Sequence, residues 1–330
     1  DVASGRRRQK RIEHMAGAIR ACLADSQPGT PVAIEATANW YWIVQEIEEA
    51  GLEPRLVHPR KAKLMMGMIN KTDKLDVHGL NRLQRNQTLP TVWIPPADLR
   101  DLRELTRVRL VLVRQRTQLK NRLHANLAKY GLRLDDCSDW FGAKARPRLE
   151  TLFKQLPAQT RQVNQWLLEQ LDFVGGQIQQ QEKQLQTLLP AHPSIERLQS
   201  LPGVGLILAA TIWLEIGTVE RFASCEHLAS YAGTTPRVHS SGDKTRYGRL
   251  RPDANRYLKW AFAEAGNSVA VHHTRQPQRH VSQLYQRIKS RKGHAKAIGA
   301  VARHLAEATY WVESQQETYR DPALGRANPG

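Results

Sequence analysis

Apolar positions along the chain change their spacing twice. Up to about residue 96, short apolar runs alternate with helical patterns. Val32-Ala33-Ile34 reads as a buried strand, and a helical stretch follows from about Asn39 to Ala50, stopped by Gly51. Pro54-Arg55-Leu56-Val57-His58 then reads as a second strand, ended by Pro59. Strand, helix, strand at this spacing predicts an α/β unit with a parallel pair. The opening segment from Gly5 to Arg11 reads as an exposed, arginine-rich strand or hairpin arm.

After Pro95-Pro96 the period lengthens. Leu99, Leu102, Leu105, Val108, Leu112, Leu119, Leu123 and Leu127 recur at mostly three- and four-residue steps up to Gly131, which predicts one long amphipathic helix. Its other face carries Arg100, Arg103, Arg107, Arg109, Arg114, Arg116, Lys120 and Arg122. A second helical stretch runs from about Arg148 to Leu189, loosened at Gly175-Gly176 and followed by a glutamine-rich run. Two long helices with a break between them predict an antiparallel helical arm or coiled coil.

A third composition begins at Pro190. Leu201-Pro202-Gly203-Val204-Gly205 before an apolar run to Ile216 resembles the turn of a helix-hairpin-helix, though a tight turn between core helices has the same composition. A polar loop rich in Gly, Ser and Arg spans Thr234 to Asp253. Helices fill about 254–273, 277–290 and 294–313, and a frayed tail follows Tyr319. The divisions expected are 1–96, 97–190, 191–318 and the tail 319–330.

Charge narrows the function. Lys plus Arg total 49 against 31 Asp plus Glu, a net charge of +18. Such an excess repels itself unless a polyanion neutralises it, which points to nucleic acid or an anionic membrane surface. No apolar run approaches the length that spans a bilayer and no signal-peptide pattern opens the chain, so nucleic acid is favoured. Cys22, Cys137 and Cys225 are widely spaced, as expected of reduced residues in a cytoplasmic protein without a zinc site. Arg103, Arg107, Arg114, Lys120 and Arg122 on the long helix are candidate phosphate contacts, as are Arg237, Lys244, Arg246 and Arg249 in the polar loop.

Three places could carry chemistry. Glu35 closes the first strand at the C-terminal end, where α/β sheets place ligands, although simple alternation would also turn it outward. Asp73 and Asp76 stand three apart, one face of a helix if one starts there. They could share a hard divalent ion, or Thr72 or Asp73 could cap the helix with Asp76 in its first turn. Ser241 follows His239-Ser240 and precedes Gly242-Asp243-Lys244. A serine among cations could be a nucleophile at a phosphoryl group, with His239 or Asp243 assisting proton transfer, and Ser-Gly is also ordinary turn chemistry.

Taken together, these segments resemble the transposases of the insertion-sequence 110 family, the DEDD recombinases guided by a bridge RNA. The matching stretches are VAIEATANWYW (32–42), LVHPRKAK (56–63), KTDKLDVHGL (71–80), LKNRLHANLAKYG (119–131), LPGVGLILAATI (201–212), FASCEHLASYAGTTPRVHSSG (222–242) and KGHAKAIGAVARHLA (292–306). They span nearly the whole chain in the family's order. The resemblance implies an α/β plus α protein: a RuvC-like, RNase H-type N-terminal domain, a helical coiled-coil arm, and a mostly helical C-terminal transposase domain. It makes Glu35, Asp73 and Asp76 metal ligands for Mg²⁺ or Mn²⁺. It makes Ser241 the nucleophile that holds a covalent 5′-phosphoserine while strands exchange. Donor and target DNA, a structured guide RNA and a homo-oligomer, dimer or tetramer, are the implied partners.

The family's first aspartate lies on a strand upstream of the Glu35 strand. The match here begins near the second strand, so Asp1 does not correspond to it. Two alternatives therefore stand beside the transposase: a Piv-type DNA invertase, which would share every residue quoted, and an inactive nucleic-acid-binding remnant. A RuvC-type junction nuclease would have no use for the serine loop.

Overall fold

The computed structural model describes residues 10–67, 73–189, 192–241, 244–250 and 253–323. The chain forms two compact units, one up to Pro95 and one from Pro96. Gly5 to Gln9 of the predicted arginine-rich arm lie outside the described residues, and Lys10 and Arg11 belong to no helix or strand.

The first unit holds α1 (Ala18–Leu23), β1 (Pro31–Glu35), α2 (Trp40–Glu49), β2 (Glu53–Val57), α3 (Pro59–Met66) and α4 (Asp73–Arg85). Strands β1 and β2 pair in parallel from Pro31↔Glu53 to Glu35↔Val57, as the strand-helix-strand spacing predicts. On the other side of β2, the segment around Thr91 pairs antiparallel: His58 N–H donates to Pro90 O at 2.9 Å and Val92 N–H to Leu56 O at 2.7 Å. Leu56 and Val57 are thereby buried, whereas β1 has no other strand beside it among the described residues. Val32, Ala33 and Ile34 remain half-buried, less enclosed than their run of apolar residues predicts. Pro59, expected to end a strand, does so by opening a helix. It occupies the first turn of α3, whose Lys61 N–H is accepted by the His58 ring.

The second unit begins with α5 (Ala97–Ala128), α6 (Arg146–Phe153) and α7 (Ala158–Leu188). Helices α5 and α7 run antiparallel. Arg109 meets Glu182, buried Asn126 donates to buried Asn164 at 3.2 Å, and Tyr130 meets Thr160. Leu123, Leu127, Leu149, Phe153, Leu168 and Leu171 form the core at this end. The second stretch is interrupted at residues 154–157, not at Gly175-Gly176, through which α7 runs unbroken. Proline at 157 cannot extend the preceding helix and is well placed to start the next. The two glycines cost only about 1 kcal/mol each in a helix, and buried Val174 and Ile178 hold that stretch against its neighbours.

The remainder comprises α8 (Pro193–Gln199), α9 (Leu206–Ile216), a 3₁₀ turn (Val219–Arg221), α10 (Cys225–Tyr231), β3 (Pro236–Ser241), β4 (Lys244–Leu250), α11 (Arg256–His272), α12 (His280–Lys292) and α13 (His294–Ser314). Apolar residues of α8 to α13 build one core, against which Leu99, Leu102 and Leu105 of α5 pack. Two expectations change here. The polar loop is largely an antiparallel hairpin, β3 paired with β4, in which Val238, Thr245 and Tyr247 are residue types that favour an extended chain. The tail after Tyr319 is docked as far as it is described. Tyr319 N–H donates to Ser200 Oγ at 2.7 Å, and Asp321 accepts from His280 N–H at the start of α12. The three cysteines are free and half-buried, and no described helix is long and apolar enough to cross a membrane.

Candidate functional site

Glu35 is the last residue of β1, paired in register with Val57, and its side chain is exposed. Asp73 opens α4, and Asp76 follows one turn later, half-buried. The Asp73 side chain lies outside what is described. Helix α4 rests against β1: Gln84 Nε2 donates to Pro31 O at 2.7 Å, and Leu83 is buried with Leu80 and Ala33 packed around it. Among the described residues no group of three or more His, Cys, Asp or Glu side chains is gathered tightly enough to hold a metal ion.

A carboxylate not singled out in the sequence also acts in this unit. Glu46 of α2 is buried and accepts the backbone N–H groups of Gly17 and Arg20. These backbone bonds hold its carboxyl below its ordinary value and satisfy donors at the otherwise uncapped start of α1.

Ser241 is the final residue of β3 and is exposed. The register pairs it with Lys244 and pairs His239 with Arg246, so the backbone puts these four positions on one face of the hairpin. The side chains of His239 and Lys244, and the residues Gly242 and Asp243, lie outside what is described. Arg237, Arg246 and Arg249 are exposed. The opposite face carries the cross-strand pair Val238 and Tyr247, the latter 72% exposed. A two-stranded ribbon with neither face covered is marginal alone, and this one carries cations on the strands that flank its serine. Tyr247 was legible only as an aromatic residue inside an Arg-rich alternation, the pattern of a nucleic-acid surface.

The long helix corrects the expected phosphate contacts. Arg103 is buried, only 4% exposed, and donates to the carbonyls of Leu214 at 2.7 Å and Glu215 at 3.0 Å. Arg107 grips the Glu215 carboxylate with both ends of its fork, at 2.7 and 3.1 Å. Asn255 donates to the same carboxylate at 2.7 Å while its own oxygen caps α11 at Tyr257 and Leu258. Arg100 is buried too, and Arg109 is paired with Glu182. The buried line at the base of α5 is thus Arg100, Arg103, Thr106 and Leu110, whereas Val108, assigned to the apolar stripe, is exposed. The reason is Glu215: a fully buried carboxylate at the end of an apolar helix requires cations, and α5 supplies them. Burial works against the Arg103 charge, and Glu215 beside it favours that charge. Lys120 is half-buried between Asp139, at 3.2 Å, and the Phe141 ring. Arg114 and Arg122 are exposed.

Comparison with known proteins bears on both units. Residues 3–131 match a family model described as a transposase, of the DEDD type found in IS110. Residues 195–283 match the model described as the transposase IS116/IS110/IS902 family. Among similar proteins is the transposase for insertion sequence element IS1111A of Coxiella burnetii, 24% identical over 282 residues, covering 86% of this chain and 76% of that protein. The transposase for insertion sequence element IS1328 of Yersinia enterocolitica is 25% identical over 220 residues, covering 66% and 64% respectively. The pilin gene-inverting protein of Moraxella bovis is 25% identical over 301 residues, covering 87% and 80%. With its N-terminal and C-terminal segments both matched in this way, the chain carries transposase domains of the IS110/IS116/IS902 type.

Proposed function

We propose that this transposase cuts and rejoins DNA through a covalent phosphoserine at Ser241, with a divalent ion held by Glu35, Asp73 and Asp76. The observation that carries the reading is the hairpin: Ser241 stands exposed at a strand end, with exposed Arg237, Arg246 and Arg249 on the same ribbon. In the reaction, Ser241 Oγ forms a bond to the scissile phosphorus. The P–O3′ bond breaks, and the 3′ oxygen leaves as a hydroxyl once protonated. A second 3′ hydroxyl then attacks the phosphoserine, forming the new phosphodiester and returning the proton to Ser241. The phosphodiester energy is conserved in the covalent bond, and the arginines offset the charge that develops on the phosphate.

One contact supports the carboxylate part of the reading. Gln84 ties the late part of α4 to the start of β1. From there, eight residues of helix back to Asp76 cover about 12 Å, and four residues of strand up to Glu35 cover about 13 Å. The reading requires α4 to run back along β1, which would bring Asp76 and Glu35 toward the same end. One or two carboxylates, with substrate phosphate and water, are the usual ligands of Mg²⁺, which would polarise the phosphate. Sequence choice by a guide RNA and assembly into a homo-oligomer complete the reading. A second reading, site-specific inversion, is favoured by the similarity to the pilin gene-inverting protein over most of the chain.

The test incubates the protein and its element-encoded RNA with donor and target DNA and Mg²⁺, then looks for a protein–DNA adduct on a denaturing gel. An adduct is expected with the wild type and not with Ser241→Ala. Cutting without any adduct in either protein would rule out the serine chemistry. Normal recombination after removal of the RNA would exclude guidance and favour the inversion reading.

A further inference from the structure

The longest acid-free stretch of the sequence leads into a helix corner that lies outside both segments matched by the family models. Between Glu264 and Glu307 there is no acidic residue, while Arg287, Lys289, Arg291, Lys292 and Lys296 crowd the corner where α12 meets α13. All five are exposed. Among the described residues none of them has a carboxylate partner, unlike Arg103, Arg107, Arg109, Lys120, Arg146 and Arg148, which all do.

The corner is also packed from within. Gly293 turns the chain between the helices at φ 83°. Tyr285, 2% exposed, shares a 2.8 Å hydrogen bond between its hydroxyl and His294 Nδ1 and lies under Lys289. The negative end of the α12 dipole would favour Lys289, Arg291 and Lys292 whatever their function. It does not account for Lys296, which sits in the first turn of α13, where a cation is disfavoured and no acidic residue balances it. Unpaired cations on a packed scaffold complement a regular polyanion, and duplex DNA offers about one charge per 1.7 Å of its axis.

We infer that the α12–α13 corner is a docking surface for the phosphodiester backbone of duplex DNA, separate from the serine hairpin. The inference rests on the reading of the chain as an enzyme acting on DNA. Its contacts are to backbone, so they hold the duplex without reading its sequence.

The test compares two full-length variants that each lose four positive charges. One is R287Q/R291Q/K292Q/K296Q. The other is R20Q/R55Q/R148Q/R320Q, surface arginines that already have acidic partners. Binding to a labelled DNA duplex is measured across a salt series. The corner variant is expected to bind at least about tenfold more weakly, with a log–log salt slope shallower by about 2 to 4. The control should stay within about threefold of wild type, and both should keep the wild-type thermal midpoint. Equal effects in the two variants, or none, would overturn the inference and leave the adduct result for Ser241 untouched. Loss confined to an RNA hairpin would overturn the assignment to DNA. A wild type that binds no duplex would overturn both this inference and the reading beneath it.

Discussion

Glu215 is the residue on which the second unit depends most. Its side chain is completely buried, and its carboxylate is shared by Arg107 and Asn255, while Arg103 binds its backbone carbonyl. Removing one partner of a buried pair leaves the other charge uncompensated in a poor solvent for it. Glu215→Ala should therefore destabilise the second unit by about 3–5 kcal/mol, far more than loss of any surface pair. Urea unfolding would check this, and a change below about 1 kcal/mol would mean that the arginines find water instead. The same cluster shows a limit of reading sequence. Arg103 and Arg114 stand in the same Arg-rich helix, yet one is a structural donor and the other faces solvent. Only the distant Glu215 tells them apart.

At the scale of elements, the turn between α8 and α9 divides its two glycines. Gly203 has φ 78°, and a Cβ there would stand 2.4 Å from Ala265 O of α11. Gly205 is extended at φ −93°, with open space around it. Gly203→Ala should cost at least about 2 kcal/mol, from strain plus displacement of α11. Gly205→Ala should stay within about 0.5 kcal/mol of wild type. Thermal unfolding of the pair is the check, and equal midpoints would show that the turn yields freely. The Leu-Pro-Gly-Val-Gly composition announced a turn but could not say which glycine the core requires. The serine hairpin was missed for a related reason. Its apolar residues Val238 and Tyr247 remain exposed, so it lacks the one-sided burial by which strands are recognised.

For the molecule as a whole, the end of the described chain folds back on the second unit. His304, against which Tyr319 packs through a 3.1 Å hydrogen bond, has its pKa pulled below the ordinary 6.5, first by burial and then by neighbouring His280. Burial likewise raises the Tyr319 hydroxyl, keeping it neutral. Below about pH 6.5 the unfolded chain takes up a proton at this histidine before the folded one does, so the folded state loses stability as pH falls from there. The stability difference between wild type and His304→Phe should accordingly narrow between pH 7.5 and 5.5. A constant difference over that range would show that the site does not titrate there.

Local rules were enough for β1, α2 and β2 and for the extent of α5, because hydrophobic period, proline and glycine act within a few residues of where they stand. Net charge alone pointed to a polyanion, and the matched segments to a family. The sequence could not say which cations are free to meet that polyanion. Whether an arginine neutralises a phosphate or a carboxylate depends on what folding places beside it. Glu215, Glu182 and Asp139 claim Arg103, Arg107, Arg109 and Lys120 of the helical arm, whereas Arg114 and Arg122 stay exposed. The α12–α13 corner and the serine hairpin keep theirs exposed, a division decided only by tertiary contacts between residues far apart in the chain.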